Sequence, residues 1–172
     1  GLHRTVSELN KKNNVQHNMY GATARYHFHA GHVGFNVLQH HFSIPFAAGR
    51  EPYAAFDFTG KKVSNVSMDY SYTGTNFHAS GEWALDHAGK LAVVNSVMVA
   101  LDGKADIVVL HRRYAREFAS FHSNAFADQA VPQNETGWYA GIAIRPGKMW
   151  QIDGYIDLAL FPWLKYSADA PS

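Results

Sequence analysis

Three histidines, His27, His29 and His32, are the first residues whose spacing could do chemistry. An HxH pair with a third imidazole across a tight turn has the reach to chelate zinc or copper. The plainer alternative is a set of solvated or hydrogen-bonded rings at a hairpin mouth. Under that alternative the chain takes no metal and no cofactor. A second constellation is Asp69, His78, Ser80 and Glu82, which alternation brings onto one polar face. A nucleophile beside a base, oriented by a third group, is what hydrolytic catalysis requires. The sequence contains no Gly-x-Ser-x-Gly elbow, no His-Glu-x-x-His helix and no Walker loop, and the expected role of the cluster is a hydrogen-bonded wall. Asp153 and Asp157 are too loosely spaced to act as a carboxylate pair, and Asn134-Glu135-Thr136 is a sequon that reads as a loop.

The elements that must position these groups are strands. Apolar residues seldom recur at helical spacing, whereas period-two alternation runs through eight segments: 17–28, 32–42, 63–72, 77–86, 91–101, 104–114, 137–145 and 149–160. Turn signals separate them at Ala30-Gly31, Gly74-Thr75, Asp102-Gly103 and Arg145-Pro146-Gly147-Lys148. Between these tight turns lie connections at 43–62, 87–90 and 115–136. Alternation of short and longer connections is the pattern of an up-and-down antiparallel meander. With the proposed turns, Tyr26 faces Phe35, Tyr72 faces Phe77 and Val66 faces Trp83, so apolar side chains share one face and polar ones the other. The strand at 104–114 resists assignment, because Asp106 and Arg112 sit among apolar neighbours on either face.

Composition bears on which face is inside. The chain has 172 residues, which suits one domain over 1–172, with 17% charged and 14% aromatic residues. A soluble exterior carries about 25–35% charged residues, whereas these polar strand faces hold mainly Ser, Asn, Thr, Gly and His. Lysines are at turns and loops: Lys61, Lys62, Lys90, Lys104 and Lys148. Aromatics cluster at strand ends. Tyr26, Phe28, Tyr70, Tyr72, Phe77 and Trp150 lie near the short turns, and Phe42, Phe58, Trp83, Tyr114, Trp138, Phe161 and Trp163 near the longer connections. Two such bands are what membrane interfaces select. A tilted strand of about ten residues also spans a bilayer. The expected apolar, lipid-facing set is Val66, Met68, Tyr70, Ala79, Gly81, Trp83, Ile142, Ile152 and Ile156. Ser67, Asp69, His78, Glu82 and Asp153 then face the lumen. Phe118, Phe121, His122 and Phe126 form a loop that packs plainly, folds back into the barrel mouth or meets a partner. Arg112, Arg113 and Arg116 at its base have the chemistry to pair with lipid phosphates.

Other classes are narrowed by what is missing. The sequence has no cysteine, which excludes disulfides, thiolate metal sites and a cysteine nucleophile. A net charge of +1 argues against a domain that binds polyanions by bulk charge. No run approaches the length of a membrane-spanning helix. The chain starts at Gly1 without a signal peptide, so the expectation is a removed export signal or a piece of something longer.

Several segments carry a resemblance: Gly1-Leu2-His3-Arg4-Thr5-Val6-Ser7-Glu8, His111-Arg112-Arg113-Tyr114 with Asn124-Ala125-Phe126, Asn134-Glu135-Thr136-Gly137, and Phe161-Pro162-Trp163-Leu164-Lys165-Tyr166-Ser167-Ala168-Asp169-Ala170-Pro171-Ser172. The chain resembles bacterial outer-membrane β-barrel proteins of the type that often carry an amino-terminal helix-hairpin-helix domain. No helix-hairpin-helix segment stands in this sequence, so nucleic-acid binding is not carried over. The resemblance implies a fold and a location, with no assigned chemistry. The combined expectation is an all-β, antiparallel up-and-down transmembrane β-barrel of about eight strands, or an arc of a larger barrel, in a bacterial outer membrane. Its partners are membrane lipid, lipopolysaccharide and other outer-membrane subunits, and its role is structural, as a channel or a docking platform, without catalysis. The rival readings are a soluble β-barrel that binds a small ligand and an outer-membrane hydrolase.

Overall fold

Alternating side chains and short turns produce one antiparallel meander. The computed structural model describes residues 14–165 together with Thr5 and Pro171, so most of the amino-terminal segment and the last residues of the tail that carry the resemblance lie outside the described residues. Eight strands follow one another in sheet order: β1 (His17–Phe28), β2 (Gly31–Phe46), β3 (Gly60–Thr73), β4 (Phe77–Asp86), β5 (Leu91–Asp102), β6 (Ala105–Tyr114), β7 (Glu135–Gly147) and β8 (Trp150–Leu160). Among the described residues, helix is confined to one short 3-10 turn, Pro52–Ala54. Among the described residues β1 pairs only with β2 and β8 only with β7, so the sheet is open, and of the two expected forms a barrel closed by these eight strands is not the one seen.

The tight turns are displaced from those expected, the first three by one residue and the fourth by two. They fall at His29-Ala30, Thr75-Asn76, Gly103-Lys104 and Lys148-Met149, because Phe28 pairs with Gly31, the Gly74 amide donates to the Phe77 carbonyl, Asp102 pairs with Ala105 and Gly147 with Trp150. At the first two turns the glycines serve close approach. A Cβ on Gly31 would lie 1.8 Å from the Ser71 carbonyl oxygen, and one on Gly74 would lie 2.3 Å from the Phe77 ring. Left-handed glycines occur elsewhere, at Gly60 and Gly89. In the third turn the Asp102 carboxylate accepts from the Lys104 amide at 2.6 Å, a side chain standing in for the turn bond. Pairing therefore slips by two: Tyr26 is opposite Val33, Tyr72 opposite Ala79 and Val66 opposite Leu85. A slip of two leaves every side chain on its own face, and the face assignments survive.

One face is left open and apolar. Val66, Trp83, Ile142, Ile152 and Ile156 are exposed on it, and Met68, Tyr70, Ala79 and Gly81 share it. The opposite face carries Ser67, Asp69, His78, Glu82 and Asp153, and at the end away from the short turns the connection between β6 and β7 covers it. Beneath that cover are buried Phe42, Val63, Asp86, Ala92, Tyr114 and Phe118. Phe42, Tyr114 and Phe161 were expected in an interfacial band, but each is at most 6% exposed, with Phe42 packed on Phe121 and Tyr114 on Phe118. Trp83 and Trp138 remain exposed on the apolar face, as do Tyr26, Phe28, Tyr72, Phe77 and Trp150 at the other end.

Because the β3 backbone leaves no room beside Gly31, Gly31→Ala is expected to destabilise the fold by about 1–3 kcal/mol. Gly103→Ala, where nothing lies within 4 Å, should be nearly neutral. Urea midpoints for the two variants would check this, and equal midpoints would contradict the close approach.

Candidate functional site

The covered face is built around charge that water does not reach. Arg112, on β6, and Glu135, the first residue of β7, both have side chains with no exposed surface and are hydrogen-bonded to each other. A second carboxylate, Asp157 on β8, accepts from Arg112 Nη1 at 2.7 Å. This resolves the ambiguous strand: Asp106 and Arg112 both point to the covered face, where Asp106 accepts from Arg145 at 2.7 Å. Arg112 is thus removed from the set expected to meet lipid phosphates. Arg113 is exposed on the opposite face, and Arg116 lies over the Phe56 ring at 4.9 Å.

Glu135 also receives the Asp128 amide, at 3.0 Å to Oε2, and Tyr114 donates to the Phe126 carbonyl at 2.6 Å. Asn65 donates to the Ala119 carbonyl at 2.8 Å, and the Ala119 amide donates to Asp86 at 3.1 Å. Connection 115–134 is therefore fastened to β3, β4, β6 and β7, and Phe118 is buried against Ala92 and Tyr114. Of the fates open to this loop, folding back over the sheet is the one observed. Asn134 closes it, with a left-handed backbone (φ 54°), an amide that donates to the Trp163 carbonyl at 2.9 Å and a side-chain oxygen that accepts from the Trp163 amide at 2.8 Å. The sequon asparagine is thus a buried clasp. A cavity of about 380 Å³ remains between loop and sheet, lined in part by Asn36, Ser67, Glu82, Val94, Ser123 and Asn124.

Toward the short turns the same face holds a second polar network. Asp69 accepts from Asn36 at 2.8 Å and from Arg25 at 3.2 Å, and pairs with His32 at 3.0 Å. Asn36 also bonds Thr23 and Ser67. A glycine stands directly opposite each hub. Gly34 pairs with Asp69 and Gly137 with Arg112, and a Cβ would lie 2.2 Å from the Asp69 carboxylate or 2.8 Å from the Arg112 guanidinium carbon. A missing side chain on one strand houses the charged side chain of the next.

Asp69, His78, Ser80 and Glu82 share the covered face, and the bonds of the first three run to other partners. His78 bonds Thr73 at 2.9 Å, Ser80 bonds Ser96 at 2.9 Å, and Asp69 serves its own network. Asp157 is held by Arg112, while Asp153 accepts from Gln151 at 3.0 Å. Of the hairpin histidines, His27 and His32 are opposed with rings 5.6 Å apart, His32 is engaged by Asp69, and His29 occupies the turn. The histidines whose ligand nitrogens converge among the described residues are instead His17, His40 and His122. Sequence reasoning missed this trio because its members lie on β1, β2 and the long loop. The doublet His40-His41 within an otherwise alternating strand was the one local signal. Comparison with known proteins finds no family model, curated protein or solved structure that matches the chain.

Removing one partner of a buried ion pair strands the other, so Glu135→Gln is expected to cost about 3 kcal/mol and to loosen connection 115–134. Asp157 is 35% exposed, and Asp157→Asn should cost clearly less. Urea melts combined with limited proteolysis of the loop would measure both effects, and equal losses would refute the ranking.

Proposed function

We propose that the chain is an integral β-barrel segment of a bacterial outer membrane, with a structural, channel or docking role and no catalytic chemistry. The observation that carries this reading is the distribution of polarity across one sheet. Large apolar side chains project, exposed, from the open face, while Arg112, Glu135 and Asp86 are buried on the covered one. In water such an exterior invites aggregation. Against hydrocarbon it is the exterior a transmembrane barrel requires. Exposed aromatics toward both ends of that face suit the two headgroup layers.

The open edges of β1 and β8 support an arc completed by further strands, because backbone groups at lipid depth need partners and only closed barrels supply them all. Connection 115–134, tied over the covered face, would then narrow the lumen, and lipid, lipopolysaccharide and neighbouring outer-membrane subunits would be the partners. The remaining cavity gives a soluble ligand-binding barrel its best support, but the same reading would leave the apolar face in water.

An Arg at the bilayer midplane on a lipid face costs about 2–4 kcal/mol. Met68→Arg should therefore impair membrane insertion, and Ser67→Arg on the covered face should do so less. Cell fractionation reads both. Extraction of the wild-type chain into detergent-free buffer would overturn the membrane reading in favour of the soluble barrel. A hydrolytic activity lost in Ser80→Ala or Glu82→Ala would favour an enzyme.

A further inference from the structure

We propose that His17, His40 and His122 form a binding site for a divalent transition-metal ion, with zinc as the simplest occupant. One nitrogen from each ring lies within 4.8 Å of the others. His17 opens β1 and His40 lies on β2, with His17 Nε2 2.8 Å from His40 Nδ1. The rings of His17 and His40 are 5.1 Å apart, and the His122 ring is 5.6 Å from each.

A second observation points independently to a ligand. His40 has no exposed surface, and its Nε2 has no hydrogen-bond partner. A buried polar atom left unpaired costs about 1–3 kcal/mol. A shared proton can link two imidazoles but leaves the third nitrogen outside the bond. A metal ion accepts one lone pair from each of the three rings, and bound at His40 Nε2 it would supply the partner that this atom lacks. His122 is also held in a left-handed backbone conformation (φ 62°), a strain of the kind found at ligand clamps.

The surroundings suit such an ion. Phe42 stacks on His17 at 4.4 Å, and Phe121 lies 5.8 Å from His40 and 4.9 Å from Phe42, an apolar shell that limits water on one side. Nitrogen donors with no cysteine select zinc, copper or nickel over calcium or magnesium. Three imidazoles leave a fourth position for water or an external ligand. The ion would join the β1–β2 edge to connection 115–134, and binding to the folded state alone would raise the stability of both.

Zinc titration of the full chain, folded in detergent micelles and followed by calorimetry, tests the site, with cobalt absorption reporting nitrogen coordination. The expected result is one equivalent of zinc bound and a loss of affinity of at least about tenfold in His40→Gln and in His122→Gln, since even outer-shell changes cost 10–100-fold. His27→Gln and His32→Gln should bind as the wild type does. If His40→Gln fails to fold by circular dichroism, His122→Gln, on an exposed loop position, decides alone. Undiminished binding in His122→Gln, the absence of stoichiometric binding, or a loss that follows the hairpin substitutions instead would each overturn the assignment. The assay needs only folded protein, so its outcome is separate from that of fractionation.

Discussion

A guanidinium kept from water is the constraint on which the covered face depends. Arg112 stays charged at any ordinary pH, and the structure must surround it with acceptors or leave the sheet with an uncompensated charge. Glu135 and Asp157 supply them from the next two strands, so one cation fixes the registry of β6, β7 and β8 together. Gly137 opens the space it occupies. The Glu135 carboxylate then reaches onward to the Asp128 amide, and the Phe126 ring sits 5.1 Å from the guanidinium carbon. The long connection is thus held by the same charge that ties the strands. Removing one partner from such a network costs more than the intact network adds to net stability.

The open face follows a different rule. Asn95 on β5 is a polar intrusion among its apolar neighbours, and its side-chain oxygen is satisfied twice, by the Tyr70 hydroxyl at 2.9 Å and the Trp83 indole at 3.0 Å. Gly81 leaves room for both Asn95 and the Tyr70 ring. Aromatic donors folded over a glycine let an amide sit on an apolar surface without an orphaned acceptor. The arrangement repeats on the outside what Gly34 and Gly137 do on the covered side: the direct cross-strand neighbour is emptied so that a polar group can lie flat against the sheet.

How much of this was legible in the sequence depends on the range of the interaction. Alternation is local, and strands 17–28 and 77–86 were bounded as they stand in the structure. The face of nearly every strand residue followed, because each slip of a turn changed the pairing by an even number of residues, which preserves parity. The turns themselves were misplaced for a physical reason. Gly was read as a residue for positive φ, whereas Gly31 and Gly74 are there to admit a carbonyl and a ring. Arg112 could not be placed because its partners lie 23 and 45 residues away, and no periodicity reports on them. The aromatic band near the longer connections was half right. Position along a strand was legible, but whether a ring met the outside or the loop depended on a fold-back that the sequence left open. The trio of His17, His40 and His122 was invisible for the same reason of distance.

The order of the sheet has a consequence in time. Every strand pairs with its neighbour in sequence, so each of the seven pairings closes only a short or moderate length of chain, and no strand waits for a remote partner. The longest closure, between β6 and β7, is also the one furnished with its own internal fastenings at Tyr114, Asp128 and Asn134. A meander of this kind can zip hairpin by hairpin from any starting point. At each stage the growing sheet presents a live edge, and β1 and β8 keep that property after the last internal pair has formed. Growth by strand addition therefore meets no stop in the order of the strands itself.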